Sequence, residues 1–169
     1  MYDSLDISKV LLSKINTERF ETIGDGISNL KLQKLLFYIQ KTSVSVFDNI
    51  LFSDEMQAWQ YGPVAPKAYH RFKAYQNGNI DIIDERDFIE ASPTLSFNEL
   101  LVVDFVWDRY SQYSAGKLVD LTHQDKAWID NYIPGINNHI EKKDLKDKEL
   151  EKSFNDYLVS LETASELVL

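Results

Sequence analysis

Hydrophobic positions recur at helical spacing along most of the chain. Ile7, Val10, Leu11 and Ile15 predict a first helix over about residues 6–18, with Asp6 placed to cap it. "TIGDGIS" then breaks the pattern with two glycines, and Ser28 or Asn29 can cap the next helix. In "NLKLQKLLFYIQKTSVSVF", Leu32, Leu35, Leu36, Ile39 and Val46 fall in one arc, with Phe37 and Val44 beside it. Lys31, Lys34, Tyr38 and Lys41 occupy the opposite side, which the wheel predicts to be a solvated strip.

Two short extended pieces come next, Ile50–Phe52 and Met56–Trp59, and Ser53-Asp54-Glu55 between them predicts a hairpin. In "YGPVAP", Gly62 before Pro63 suits a turn of positive φ, and Pro66 suits the first turn of a third helix. Asn77-Gly78 stops that helix, and "NIDIID" alternates like a strand over residues 80–84. "SFNE" has the form of a capping box. It opens "LLVVDFVWDRYSQY", apolar except for Asp104, Asp108 and Ser111, which predicts the central buried helix. Ser114 can cap a short helix through Val119, and Thr122 can cap another that carries Trp128 onto the core. Pro134-Gly135 breaks again, and Phe154, Tyr157, Leu158 and Leu161 predict a docked terminal helix. The fold class expected is mainly α (α+β): one compact helical domain over residues 1–169, with a small β-hairpin or short sheet between the second and third helices.

Composition narrows the chemistry. A net charge of −9 opposes phosphate backbones and anionic lipids, so neither nucleic acid nor membrane is expected as a direct partner. The N-terminus lacks a signal-peptide pattern and no apolar run approaches membrane-spanning length, which points to a cytoplasmic protein. With no cysteine, disulfides and thiolate sites are excluded. His70, His123 and His139 do not sit at metal-ligand spacing, and no phosphate-binding loop or nucleophile elbow occurs, so no cofactor, no metal and no enzymatic activity are expected. Two stretches stand out. "AWQYGPVAP" reads as a turn locked by aromatic burial or as a binding surface, and "LTHQDKAW" as a helix start or a polar contact corner.

These stretches, taken with "LKLQKLLFYIQ" and in this order, resemble the Panacea domain, the SocA-like antitoxin family, over nearly the whole chain. One departure is that the family's "LTH" corner runs on to Pro-Trp, whereas here Ala127 precedes Trp128. The resemblance implies an antitoxin that neutralises an adjacently encoded toxin protein by direct binding. An alternative within the family is an adaptor that delivers the toxin to a Clp-type protease. Outside it stand a small enzyme using the Thr122/His123 corner and an interaction protein without a toxin. Tyr38, Tyr61, Tyr69, Lys73 and His123, the family-like residues least committed to a core, are the expected partner-binding residues. Homo-oligomerisation is left open.

Overall fold

The computed structural model describes residues 1–23 and 26–168. The fold is mainly helical with one small antiparallel sheet, as expected. The helices are α1 (Ser4–Ser13), α2 (Thr17–Ile23), α3 (Asn29–Phe47), α4 (Pro66–Phe72), α5 (Arg86–Glu90), α6 (Phe97–Tyr110), α7 (Ala115–His123), α8 (Lys126–Ile129) and α9 (Lys148–Val168). The strands are β1 (Met56–Trp59), β2 (Gly62–Val64) and β3 (Asn138–Ile140), in the order β2-β1-β3.

Several local expectations shift. The first helix starts earlier, because Asp3 is its cap and Asp6 is the return partner of a capping box: Asp6 N–H donates to Asp3 Oδ1 at 2.9 Å and Asp3 N–H to Asp6 Oδ2 at 3.1 Å. The expected break at Gly24-Asp25 lies outside the described residues. The hairpin forms one segment later than expected. Its strands are β1 and β2, registered Trp59 to Gly62 and Gln57 to Val64, and Phe52 makes only an isolated parallel bridge with Tyr2. Residues 80–84 form no strand, and a turn begins at Ile82; Ile80 and Ile82 are buried, so their alternation reflects burial without a ladder. β3, which pairs Met56 with Ile140, comes from a stretch with no strand pattern.

The central helix is α3 and not α6. The latter exposes Phe97 and Leu100 and buries one face, built from Val102, Val103, Phe105, Val106 and Tyr110. α3 is buried on nearly every side from Leu32 to Ser45, which includes three of the four residues expected to face water: Lys34, Tyr38 and Lys41. A buried polar group must find a partner. Most of those on α3 find them on the backbone of neighbouring segments, while the buried Thr42 hydroxyl has no partner among the described residues. Gln40 accepts from Leu51 N–H at 2.7 Å and donates to Phe52 O at 2.7 Å, which holds residues 51–52 where the ladder is missing. Ser43 donates to Asn49 O and Ser45 to Leu145 O. Asn29 donates to Tyr69 O, and Lys31 to Ser111 O.

Lys41 meets carboxylates instead. It pairs with Asp125 and, at 2.7 Å, with Asp147. Each aspartate also caps a helix: Asp125 accepts from Ala127 N–H at 2.9 Å and Asp147 from Glu149 N–H at 2.9 Å. Burial works against the Lys41 charge, yet the two carboxylates outweigh it and hold its pKa above the ordinary lysine value. Removing one partner of such a group strands the others in low dielectric. Lys41→Met should therefore destabilise the fold by roughly 3–5 kcal/mol in urea unfolding. A loss below about 1 kcal/mol would mean that the pair behaves like a surface bridge.

Candidate functional site

The β1–β2 hairpin, closed by the two-residue connection Gln60-Tyr61, is held from three helices at once. From α3, Lys34 Nζ donates to Pro63 O at 2.9 Å, and Gln33 Oε1 accepts from Ala65 N–H at 3.0 Å. From α7, His123 Nε2 lies 2.9 Å from Gln60 O. A carbonyl can only accept, so Nε2 is the protonated nitrogen. From α8, Trp128 Nε1 donates to Trp59 O at 2.7 Å. The Trp128 ring is stacked on Tyr132, with ring centroids 4.6 Å apart, and meets the His123 ring at a tilt, with centroids 4.3 Å apart.

Gly62 is what permits this closeness. Its φ is +105°, and a Cβ there would stand 2.6 Å from Thr122 Oγ1 and 2.9 Å from Lys34 Cε. Thr122 is not the cap it was expected to be. It is buried within α7, where its hydroxyl donates to Val119 O at 3.0 Å, and Asp125 caps α8 instead. That cap uses the Ala127 N–H, which a proline at 127 could not offer. The departure from Pro-Trp thus comes with a replacement for the helix start.

Beside the turn opens a cavity of about 730 Å³. Its walls come from the start of α3, the β1–β2 connection, α4 with the short 3-10 turn after it, and the loop over 132–137. Tyr61, Tyr69 and Lys73 all line it, so three of the five expected binding residues converge. Tyr61 is 62% exposed. His123 does not line the cavity and reaches the turn only through Gln60 O. Tyr38 is a core residue: it is buried and stacked on Tyr110, with ring centroids 4.0 Å apart and planes 9° from parallel. Among the described residues, no group of three His, Asp or Glu could hold a metal ion, and no helix is long and apolar enough to cross a membrane.

Lys34 is the residue that sequence reasoning missed. It lies under the cavity wall with no surface open to water, and its one hydrogen bond among the described residues is to Pro63 O. Burial alone pushes its pKa down to about 7. A signal was available, because residues 29–47 contain no Asp or Glu in a chain that has 27. A solvated lysine face normally carries partners at i±3 or i±4.

The family model of the antitoxin SocA-like, Panacea domain matches residues 32–129. The chain belongs to this family. No curated protein and no solved structure matches it. The matched Panacea region is narrower than the whole-chain resemblance expected. It begins in α3 and ends with α8, so α1, α2, β3 and α9 fall outside it. Every helix-borne group that fastens the β1–β2 turn lies inside it, and so do the turn, Tyr61, Tyr69 and Lys73. The matched Panacea region thus contains all of these fastenings of the corner.

The corner can be probed at Gly62 and at Lys34. Gly62→Ala combines an unfavourable φ with a clash against buried side chains and should cost about 2–4 kcal/mol, measured by thermal or urea unfolding. Lys34 is protonated in both the folded and unfolded chain below about pH 7. Above it the folded chain sheds that proton first, so the unfolded chain binds more and stability rises with pH until the ordinary lysine pKa of 10.5. Relative to wild type, Lys34→Met should lose a slope of about 1.4 kcal/mol per pH unit in that window. Parallel stability curves would show that Lys34 is charged throughout.

Proposed function

We propose that this protein is an antitoxin that silences a toxin by direct binding, acting as one binding module over residues 1–169. Its membership of the SocA-like Panacea family carries the reading. The toxin is the product of an adjacent gene, and the pair meets in the cytoplasm. The contact surface is the rim of the cavity, with Tyr61 as the aromatic anchor and Tyr69 and Lys73 beside it. Large aromatic side chains that stay exposed next to a concavity are the residue type on which binding energy concentrates. His123 serves the same surface indirectly, by holding Gln60 in place. The Thr122/His123 pair supports binding better than catalysis: the hydroxyl and the Nε2 proton are both spent on backbone carbonyls.

At long range the net charge of −9 draws the protein towards a basic toxin. The rim itself, with Lys73 and, among the described residues, no Asp or Glu in the lining, makes its contacts through aromatic side chains. Steering acts on the encounter, while anchors such as Tyr61 set the lifetime of the complex.

The test is growth rescue. The adjacent open reading frame is expressed alone, then with this protein, and then with Tyr61→Ala, a change that the exposed position tolerates. Wild type should restore growth with the toxin level unchanged on a blot. Tyr61→Ala should weaken binding about thirtyfold, the equivalent of about 2 kcal/mol. Association should slow as salt rises. A toxin that disappears when the two are co-expressed would point to delivery to a Clp-type protease. A neighbour that is harmless, or still toxic beside soluble partner, would overturn the assignment.

A further inference from the structure

The cavity beside the β1–β2 turn has an electrostatic character opposite to that of the molecule around it. Its lining carries two lysines, Lys34 and Lys73, and among the described residues no Asp, Glu or Arg. The chain as a whole has 27 acidic residues against 18 basic ones. Four aromatic rings, those of Trp59, Tyr61, Tyr69 and Tyr132, share the walls with side-chain amides.

Lys34 is unusual even for a buried lysine. Its ammonium has three donors and uses one, on Pro63 O, with no carboxylate in contact among the described residues. The contrast with Lys41 shows what the fold does where it neutralises a buried lysine for structure: it brings two aspartates. None is brought to Lys34. A cation held under a wall and away from water projects its field into the adjoining space with little screening.

We propose that this cavity is a binding site for an anionic group, a carboxylate or a phosphate, carried on an aromatic or other planar body. The rings take the planar part. Lys73, exposed at the rim, pairs directly with the anion, and Lys34 stabilises it from beneath. The volume of about 730 Å³ lies within the range typical of small-ligand sites. Lys34 also gives the site a signature. Its pKa lies near 7 in the empty cavity, and an anion overhead must raise it, so binding above that pH takes up a proton. The other titratable groups facing the cavity are Lys73, Tyr61, Tyr69 and Tyr132. His123 bonds Gln60 O and is not among the lining residues. The site stands independently of whether the protein silences a toxin.

The probes are N-acetylphenylalanine, its neutral amide and phenyl phosphate, titrated into the full chain at pH about 8 and monitored by NMR shifts and by calorimetry in buffers of different ionisation enthalpy. At least one acid should saturate shifts at the cavity residues with a dissociation constant near 1 mM or tighter, about tenfold below that of the amide, and with net proton uptake. Preference between the two acids distinguishes carboxylate from phosphate. Lys73→Ala should weaken binding while uptake persists, and Lys34→Met should abolish uptake. If Lys34→Met does not fold, uptake by wild type and Lys73→Ala still decides the matter. Equal binding of acid and amide, saturable binding of neither acid, or acid binding without uptake would overturn the proposal.

Discussion

Irregular backbone packed against a helix loses water without gaining a ladder, and α3 supplies the missing partners. Its buried polar side chains reach outward to the carbonyls and amides of the segments around it. Gln40 stands in for a strand partner at Leu51 and Phe52, Gln33 holds Ala65, Lys34 holds Pro63, and Ser43 and Ser45 hold Asn49 and Leu145. The three-stranded sheet is too small to organise these connections alone. The core is therefore specified by apolar packing and by a set of directional bonds from one helix, and such bonds fix position more sharply than packing does.

This arrangement explains which features could be read from the sequence. Features that depend on neighbours in the chain were legible: the Ser96–Glu99 capping box, the Ser28 cap, Pro66 at a helix start and the positive φ at Gly62. Features that depend on distant partners were not. The wheel placed Lys34, Tyr38 and Lys41 in solvent because residue type is a proxy for burial only when the partners are water. Asp125, Asp147 and Tyr110 lie far along the chain, and nothing near α3 announces them. β3 was invisible for the same reason, since a three-residue edge strand is stabilised by the strand it joins and not by its own pattern.

The site was half legible. Tyr61, Tyr69 and Lys73 were picked out from family-like segments, and the fold brings them to one cavity. The lysine beneath them was hidden in the "LQKLL" motif, which looks like an ordinary amphipathic stretch. The absence of acidic residues across the whole of α3 was the available hint. The matched Panacea region thus holds the turn and supplies part of the wall beside it, the rest coming from Asn29, Leu30 and the loop over 132–137.

The fastening of the β1–β2 turn also bears on the order of events during folding. Lys34 and Pro63 are 29 residues apart, but His123 and Gln60 are separated by 63, and Trp128 and Trp59 by 69. Contacts of such separation form late, because the intervening chain must be closed first. Until α7 and α8 are in place, the hairpin can have its α3 bonds but lacks its indole and imidazole clasps. Until β3 joins, one edge of β1 is open to other chains. The turn and the sheet are thus completed by segments that lie well downstream of them.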